Sequence, residues 1–293
     1  MIDSFLRYIE FEKRYSPNTV ISYHTDLSQF SFFLNEQCDI QKIQEADFSV
    51  IRSWLVNLME HDLDARSVNR KIASLKSFYN FLLKQGYISS NPTLKIRAPK
   101  VKKRLPVFIE ESSMHDLLEN LTFPEDFFGI RDKLIIELLY GTGMRLSELI
   151  NLNISDVNMH EKTLKVIGKG NKERIIPFHN NIYEILIVYN NYKGITFLNN
   201  QETSLVLTDK GEKSYPMFIQ KVVKKYLSQV STSDKKSPHI LRHSFATHLL
   251  NNGADLNAIK ELMGHASLAA TQVYTHNSLE KLKTIFKQAH PKA

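Results

Sequence analysis

The sequence predicts a mainly α-helical protein of two domains, with a small antiparallel β-sheet in the second. Three observations support this fold class. Apolar residues recur at helical spacings up to Gly86, a proline-bracketed basic stretch follows, and short β-branched runs interrupt a second helical region. The 293 residues suffice for one large domain or two medium ones.

The first domain is predicted to be a bundle of four or five helices over residues 1–97. In "SPNTVISYHTDLSQFSFFL", Ser16 is a predicted N-cap and Pro17 the first helical residue. Two further amphipathic helices follow in "FSVIRSWLVNLMEH" and "ARSVNRKIASLKSFYNFLLKQG", and the second is expected to end near Gly86.

A basic stretch, "KIRAPKVKKRLP", separates the two helical regions and contains no acidic residue. Pro92, Pro99 and Pro106 bracket it, and prolines break helices and favour extended backbone. We therefore predict a linker over 98–107 and a second domain over 108–293. The stretch is either a solvated linker or a strap that lies against phosphates.

The second domain is predicted to be mostly α-helical. Helical patterns in "ESSMHDLLENL" and "FFGIRDKLIIELLYGTG" precede three short runs, "NISDV", "TLKVIGKG" and "KERIIPF", which are typical of a small antiparallel sheet. From "SYPMFIQKVVKKYLSQV" onward the helical pattern returns.

The composition favours a soluble protein that binds nucleic acid. The formal net charge is +7 and the sequence pI is near 9.2. No apolar run is long enough to span a membrane, and the N-terminus lacks the apolar core of a signal peptide. The single cysteine, Cys38, excludes an intrachain disulfide and a Cys-rich zinc site, so we expect a cytoplasmic location.

Two groups of cations are the predicted contacts to double-stranded DNA. Those of the first domain lie on the polar face of the helix before Gly86, and the others lie in the linker. A solvated face is the default interpretation of such residues. The predicted DNA-binding residues are Arg66, Arg70, Lys76, Lys102, Lys103 and Arg104.

Six residues have the chemistry to attack a phosphodiester. Displacement at phosphorus builds negative charge on the phosphate oxygens, and preorganised cations can compensate it without a metal ion or another cofactor. Two arginines can bind those oxygens, a lysine can protonate the leaving alkoxide, and histidines can accept the proton of a nucleophilic tyrosine. The six are Arg145, Lys169, His239, Arg242, His265 and Tyr274.

The surroundings of Arg145 favour phosphate binding. Gly141 and Gly143 are expected to end the preceding helix, which exposes an arginine able to make two parallel hydrogen bonds. The competing interpretation is an ordinary ion pair between Arg145 and Glu148 or Asp132.

The other cations occupy equally suitable positions. Lys169 lies between two glycines at the predicted tip of a β-hairpin, which can swing into a site. His239 and Arg242 are three residues apart behind Pro238, so they fall on one face of a helix near its N-terminus.

Together the motifs "GTGMRLSEL", "VIGKGNKERIIP", "SPHILRHSFATHLL" and "LMGHASLAATQVYTH" resemble the tyrosine recombinases, or phage integrase family, and most closely the Xer branch (XerC/XerD-like). "SPNTVISYHTDLSQF" and "SVNRKIASLKSFYNFLL" extend the resemblance over essentially the whole chain. It implies that Tyr274 is the nucleophile and that the other five residues surround it.

The resemblance also implies an architecture and a biological role. The expected architecture is a C-shaped clamp on duplex DNA, with an N-terminal SAM-like core-binding domain and a catalytic domain. Strand exchange would pass through a 3′-phosphotyrosyl intermediate in a tetramer, formed by this chain alone or with a second Xer-type recombinase. The tail after Tyr274 has apolar residues at helical spacing, which would pack either on their own domain or, as the resemblance implies, into a neighbouring protomer. Resolution of chromosome dimers at a dif-like site, chromosome partition at cell division, a nucleoid location and activation by a septal DNA translocase are further expectations.

Four alternatives remain open at this point. An integrase or resolvase of a mobile element would keep the chemistry and change the biology. A type IB topoisomerase would use the same tyrosine chemistry as a monomer. A non-catalytic DNA-binding protein belongs to a different class. A metal-dependent nuclease would need His239, His243 and His248 as ligands, but no carboxylate partner is suitably spaced.

Overall fold

The computed structural model describes residues 1–101, 107–168, 171–264 and 289, and it confirms a mainly α-helical fold with one small antiparallel sheet. The chain divides into two compact units, Met1–Arg104 and Leu105–Ala293. This division falls inside the predicted linker 98–107, whose bounds stay a prediction. Within the described ranges, no helix is both long and apolar enough to cross a lipid bilayer.

The N-terminal unit is a helical bundle. Its helices are α1 (Ile2–Arg7, extended by a π-helical turn over Tyr8–Glu12), α2 (Pro17–Cys38), α3 (Phe48–Glu60) and α4 (Ala65–Lys84). Helix α2 begins as predicted, because Ser16 Oγ accepts a hydrogen bond from the Thr19 backbone N–H at 3.3 Å. Gly86, with φ of +73°, follows the end of α4.

The core of this unit forms around α4. The predicted apolar stripe of α4 is buried throughout, at Val68, Ile72, Leu75, Phe78, Tyr79 and Leu82. The Phe5 ring meets the Phe78 ring edge-on at 5.4 Å, and the Tyr79 hydroxyl donates to the Ile43 carbonyl at 2.6 Å. Aromatic packing and a satisfied buried hydroxyl thus fix the helices of the bundle together.

The C-terminal unit surrounds one long buried helix. Its helices are α5 (Glu111–His115, extended by a π-helical turn over Asp116–Asn120), α6 (Phe127–Thr142), α7 (Leu146–Ile150), α8 (Asn180–Thr196), α9 (Pro216–Val230), α10 (Pro238–Asn251) and α11 (Leu256–Met263). Helix α6 is buried along most of its length and packs against α8, α9 and α10. Asp126 begins α6 by accepting a hydrogen bond from the Gly129 backbone N–H at 2.8 Å.

The end of α6 corrects one detail of the sequence analysis. Gly141 lies inside α6, and only Gly143 ends the helix, with a left-handed φ of +62°. A Cβ atom at position 143 would lie 2.4 Å from Cδ1 of Phe245 on α10. Gly143 is therefore required both by its backbone conformation and by the close approach of α10.

The small sheet has the order β1–β2–β3 and is antiparallel. Its strands are β1 (Val157–Asn158), β2 (Thr163–Ile167) and β3 (Glu173–Pro177). The run "NISDV" contributes only its valine to β1, because Ile154–Asp156 forms a 3₁₀ turn in which Asp156 accepts from the Asn153 backbone N–H at 2.9 Å. Strands β2 and β3 form the predicted hairpin, with Ile167 paired to Glu173.

Candidate active site

Arg145 stands at the junction between α6 and α7. It is the N-cap residue of α7, and only Met144 separates it from the left-handed Gly143 that ends α6. Its backbone N–H donates to Oε2 of Glu148 at 2.6 Å and its Nη1 donates to Oε1 of Glu148 at 2.8 Å. The competing ion pair between Arg145 and Glu148 thus exists. The other proposed partner, Asp132, instead pairs with Arg131 at 2.9 Å.

Glu148 connects two arginines. Its side chain is 1% exposed, and Arg174 on β3 donates to both carboxylate oxygens, at 2.6 and 2.9 Å. Burial alone would raise the pKa of Glu148, but the hydrogen bonds and charge of Arg174, followed by the hydrogen bonds of Arg145, lower that pKa to about 2. Glu148 is therefore an ionised carboxylate at neutral pH, and it holds both guanidinium groups in place.

Arg242 is the third arginine near Glu148, and it comes from α10. It is a buried residue of α10, and it donates to the carbonyl oxygens of Gly143 and Met263. Burial, followed by the nearby charges of Arg145 and Arg174, lowers the pKa of Arg242 to about 10. Arg242 remains a cation at neutral pH. His239, which precedes it on the first turn of α10, is exposed.

The arginines share the C-terminal end of α11. Arg174 Nε donates to the Leu262 carbonyl at 3.1 Å, Arg242 donates to the Met263 carbonyl, and Arg145 Nη2 donates to the Gly264 carbonyl at 2.9 Å. The last carbonyls of a helix lack partners within the helix and carry partial negative charge, so they are suitable acceptors for cations. Three consecutive carbonyls are thus each bound by a different arginine.

We call this set the arginine cluster: Arg145, Arg174 and Arg242 around Glu148 and the carbonyls of residues 262–264. The structure brings two predicted catalytic residues, Arg145 and Arg242, into it. Within the described part of the chain, the cluster holds three guanidinium charges and one carboxylate. The Arg145 side chain is 28% exposed, so solvent reaches the cluster there.

Three of the predicted catalytic residues, Lys169, His265 and Tyr274, lie outside the described residues. The residues that precede two of them are described, and both contact the cluster. A Cβ atom at Gly168 would lie 3.3 Å from Oε1 of Glu148, and Gly264 supplies the carbonyl bound by Arg145. The β2–β3 hairpin and the end of α11 therefore both reach the arginine cluster.

Sequence reasoning missed Arg174. The signal is the spacing within "KERIIPF", because Arg174 and Ile176 are two residues apart and therefore point to the same side of a strand, and the structure buries both. A cation on the core-facing side of a strand requires an anionic partner. The choice of Glu148 as that partner depends on the fold and does not follow from the strand pattern.

The predicted DNA contacts of the N-terminal unit differ in exposure. Arg66 is exposed and Lys76 is half-buried. Arg70 forms an ion pair with the fully buried Asp26, although its own side chain remains 45% exposed. Lys71 also pairs with Asp26, at 3.0 Å. DNA contact by these residues stays a prediction, and the linker residues Lys102, Lys103 and Arg104 lie outside the described part of the chain.

Two further expectations concern histidines and the tail. His248 is buried and lies 2.8 Å from the Tyr140 hydroxyl, so it packs inside the unit, and burial lowers its pKa. Within the described ranges, no group of three or more His, Cys, Asp or Glu side chains is placed to hold a metal ion. In the tail, Ala289 is buried and its carbonyl accepts from Asn252 at 3.2 Å, within its own unit, and packing of the tail into a neighbouring protomer stays a prediction.

Two family models cover most of the chain. Residues 108–281 match the phage integrase family, and residues 2–86 match its N-terminal SAM-like domain. The chain is 39% identical to the tyrosine recombinase XerC of Chlorobaculum parvum, covering 100% of this chain and 94% of that protein. It is 38% identical to the tyrosine recombinase XerD of Staphylococcus haemolyticus, covering 100% and 99%.

Solved structures share the fold. The XerH site-specific recombinase, bound to its palindromic difH substrate in a post-cleavage complex, superposes with a TM-score of 0.72 at 20% identity, covering 97% of this chain and 83% of that one. The XerA recombinase is 27% identical, with a TM-score of 0.50 over 97% of both chains. With the fold, the arginine cluster and the full-length similarity in agreement, the chain belongs to the phage integrase family of tyrosine recombinases, enzymes that cut and rejoin DNA through a tyrosine intermediate.

Proposed function

We propose that this protein is a site-specific recombinase of the Xer type that acts on duplex DNA through Tyr274 and resolves chromosome dimers at a dif-like site. The observation that carries the proposal is the arginine cluster. It collects more positive charge than its single carboxylate neutralises, and it does so beside the chain segments that lead to Lys169 and His265.

The cluster provides donors for a phosphodiester. A guanidinium group has five N–H donors. In the contacts among described residues, Arg145 and Arg242 each use two guanidinium nitrogens for one hydrogen bond apiece, which leaves N–H groups for phosphate oxygens. The acceptors already bound hold both arginines in position before DNA arrives, so little reorganisation is needed when negative charge develops.

The reaction then proceeds by displacement at phosphorus. The Tyr274 oxygen forms a bond to phosphorus while the bond to the 5′ oxygen breaks, which leaves a 3′-phosphotyrosyl link and a free 5′-hydroxyl. Lys169 protonates the leaving oxygen, and the phenol proton passes to His239 or His265. No metal ion or cofactor takes part, because Arg145 and Arg242 supply the compensating charge.

The decisive experiment is covalent trapping in EDTA. The probe is a duplex that this protein selects from a randomised pool, nicked so that the short released strand diffuses away and cannot be rejoined. We expect a denaturant-resistant adduct with the parent and none with Tyr274→Phe. Binding without any adduct would refute the tyrosine mechanism and favour a non-catalytic DNA-binding protein.

The variant Arg145→Ala distinguishes stabilisation of the reacting phosphate from affinity for DNA. Because Arg145 acts on charge that develops during displacement, its loss should leave the Kd for the intact duplex nearly unchanged and raise the cleavage barrier by about 3 kcal/mol or more, as for an oxyanion-hole donor. An undiminished rate of adduct formation would show that Arg145 does not bind the reacting phosphate.

The biological assignment rests on the relatives. The XerH structure contains a difH substrate, and the relatives found at 38–39% identity are named XerC and XerD. We propose a tetramer on two sites, alone or with a second Xer-type recombinase, with the tail after Tyr274 exchanged between protomers and a septal translocase as activator. The proposed domains are 1–97 and 108–293, joined by the basic linker. Recombination between two directly repeated copies of the selected site on one plasmid tests the proposed strand exchange. Relaxation of the supercoiled plasmid without strand exchange would indicate a topoisomerase.

A further inference from the structure

Arg174 differs from the other two arginines of the cluster because all of its nitrogens are used. Nη1 and Nη2 bind the two oxygens of Glu148, and Nε binds the Leu262 carbonyl at 3.1 Å. Its side chain is 6% exposed, compared with 28% for Arg145, and Arg242 is buried as well. Arg174 is thus the member of the cluster most fully committed to protein acceptors, since Arg145 and Arg242 use two guanidinium nitrogens each in the contacts among described residues.

Glycines stand on two sides of the Arg174–Glu148 ion pair. A Cβ atom at Gly264 would lie 3.1 Å from both Cδ and Nη1 of Arg174, whereas one at Gly168 would lie 3.3 Å from Oε1 of Glu148 and at an ordinary contact distance of 3.5 Å from Nη1 of Arg174. Gly264 also has a left-handed φ of +60°. The hairpin and the end of α11 thus approach the ion pair from separate directions, and a side chain at position 168 would shift Glu148 whereas one at position 264 would shift Arg174.

The contacts of Arg174 join three segments of the chain. Through Glu148 it is tied to the N-cap of α7, where Arg145 stands, and through the Leu262 carbonyl it is tied to the end of α11. Its own strand, β3, continues the hairpin that contains Gly168, whose backbone N–H donates to the Lys172 carbonyl at 2.8 Å. No other described side chain hydrogen-bonds both Glu148 and the Leu262 carbonyl.

We propose that Arg174 is a positioning residue for the tyrosine reaction. It fixes Glu148, and through it Arg145, against the end of α11, and it thereby sets the rate of attack on phosphorus without contacting DNA. This inference rests on the proposed function. It assigns to a buried residue of the sheet a control over cleavage that is separate from DNA affinity.

The geometry requires an arginine in particular. A guanidinium is planar and can bind both oxygens of one carboxylate while its Nε binds a third acceptor. The ammonium of Arg174→Lys keeps the charge but cannot reproduce these three directions. Because displacement of a catalytic group by about 1 Å costs about 100-fold in rate, we expect Arg174→Lys to slow adduct formation by about that factor.

The experiment compares Arg174→Lys with Arg131→Lys in the full-length protein. Arg131 is an equally buried arginine of the same unit, paired with Asp132 and Asp209 on α6 and a loop, and it contacts no member of the cluster. The rate of adduct formation on the nicked selected duplex and the Kd for the intact duplex are measured for both variants and the parent. We expect both Kd values to stay within about threefold of the parent, and only Arg174→Lys to slow the adduct.

A pH profile supplies a readout that a general loss of stability does not produce. Glu148 faces Arg145 from α7, Arg174 from β3 and the charge of Arg242 from α10. Arg174→Met removes the main influence that lowers the Glu148 pKa, so that pKa rises. Protonated Glu148 no longer holds Arg145. The rate deficit of Arg174→Met should therefore deepen as the pH falls from 8 to 5, whereas the ratio of Arg131→Lys to the parent should stay constant.

A milder variant keeps the inference testable if the arginine variants unfold. Gly168→Ala retains every charge and places a methyl group 3.3 Å from Oε1 of Glu148, which displaces the ion pair slightly. We expect slower adduct formation with unchanged Kd, to a smaller extent than for Arg174→Lys.

The outcomes separate this inference from the proposed function. If the parent forms no adduct that depends on Tyr274, both are overturned. If the parent forms the adduct, and the rates of Arg174→Lys and Gly168→Ala match that of Arg131→Lys, then Arg174 has only a structural role and this inference alone is wrong.

Discussion

Replacing Glu148 with glutamine tests the electrostatic account of the arginine cluster. Glu148→Gln keeps the shape of the side chain, but it removes the charge and turns an amide N–H₂ group toward Arg145 or Arg174. The pKa of Glu148 is about 2 in the fold, against an ordinary value of 4.5. That difference corresponds to about 3 kcal/mol of stability at neutral pH. A second estimate of the stability lost in Glu148→Gln is similar, about 3–5 kcal/mol, because the variant leaves the Arg174 guanidinium buried without its carboxylate.

The pH dependence fixes the sign of this contribution. Because the folded-state pKa is depressed, the stabilisation is present above pH 4.5 and is lost as the pH falls toward 2. At pH 3.5 the parent should already have lost about 1 kcal/mol of this stabilisation, whereas the glutamine variant has no such loss. The gap between parent and variant should therefore narrow on acidification.

The assay must distinguish the two units. The only tryptophan, Trp54, is buried in the N-terminal unit, so its fluorescence serves as an internal control that should not change. Hydrogen exchange of peptides from α6 and α10 reports on the C-terminal unit. Glu173→Gln is the matched substitution, since Glu173 forms an exposed pair with Lys165 worth less than about 1 kcal/mol. Equal stability of the two variants, or a gap that does not narrow below pH 4.5, would refute the account.

Three other outcomes are expected. Gly143→Ala should destabilise the C-terminal unit by about 3 kcal/mol, because the methyl group would lie 2.4 Å from the Phe245 ring at a left-handed φ; a thermal melt within a degree of the parent would contradict this. Asp26→Asn should destabilise the N-terminal unit by about 3 kcal/mol, because Lys71 is buried beside Asp26, and unfolding followed by Trp54 fluorescence should show it at lower urea. Binding should weaken steeply with salt, and the plot of log K against log salt should flatten in a triple alanine variant, whereas an unchanged slope would mean that the linker is only solvated. The three residues replaced are Lys102, Lys103 and Arg104.

Local patterns were sufficient to predict much of the fold. The N-cap at Ser16 and the buried stripe of α4 follow from spacing within one helix. The hairpin of β2 and β3 follows from β-branched runs next to glycines. In each case the signal lies within a few residues along the chain, which is the range over which backbone geometry determines periodicity.

Long-range pairings could not be predicted in the same way. Arg70 has the spacing of a surface cation, yet it pairs with Asp26 on α2. Arg174 on β3 likewise pairs with Glu148 on α7, although 26 residues separate them along the chain. Such choices depend on which elements meet in the folded unit, and composition and spacing carry no information about that.

The charge of the arginine cluster is itself an argument for an anionic ligand. Arg242 is buried, and its acceptors among described residues are the backbone carbonyls of Gly143 and Met263. Lowering its pKa from 12.5 to about 10 means that the fold opposes this charge by about 3 kcal/mol at neutral pH. A core that served stability alone would gain by replacing such a cation with an apolar residue of similar volume. In the proposed reaction a bound phosphodiester would relieve this opposition, most of all when negative charge on the phosphate is greatest, during the proposed displacement by Tyr274. The same unfavourable charge that weakens the folded unit would therefore favour the transition state over the bound substrate.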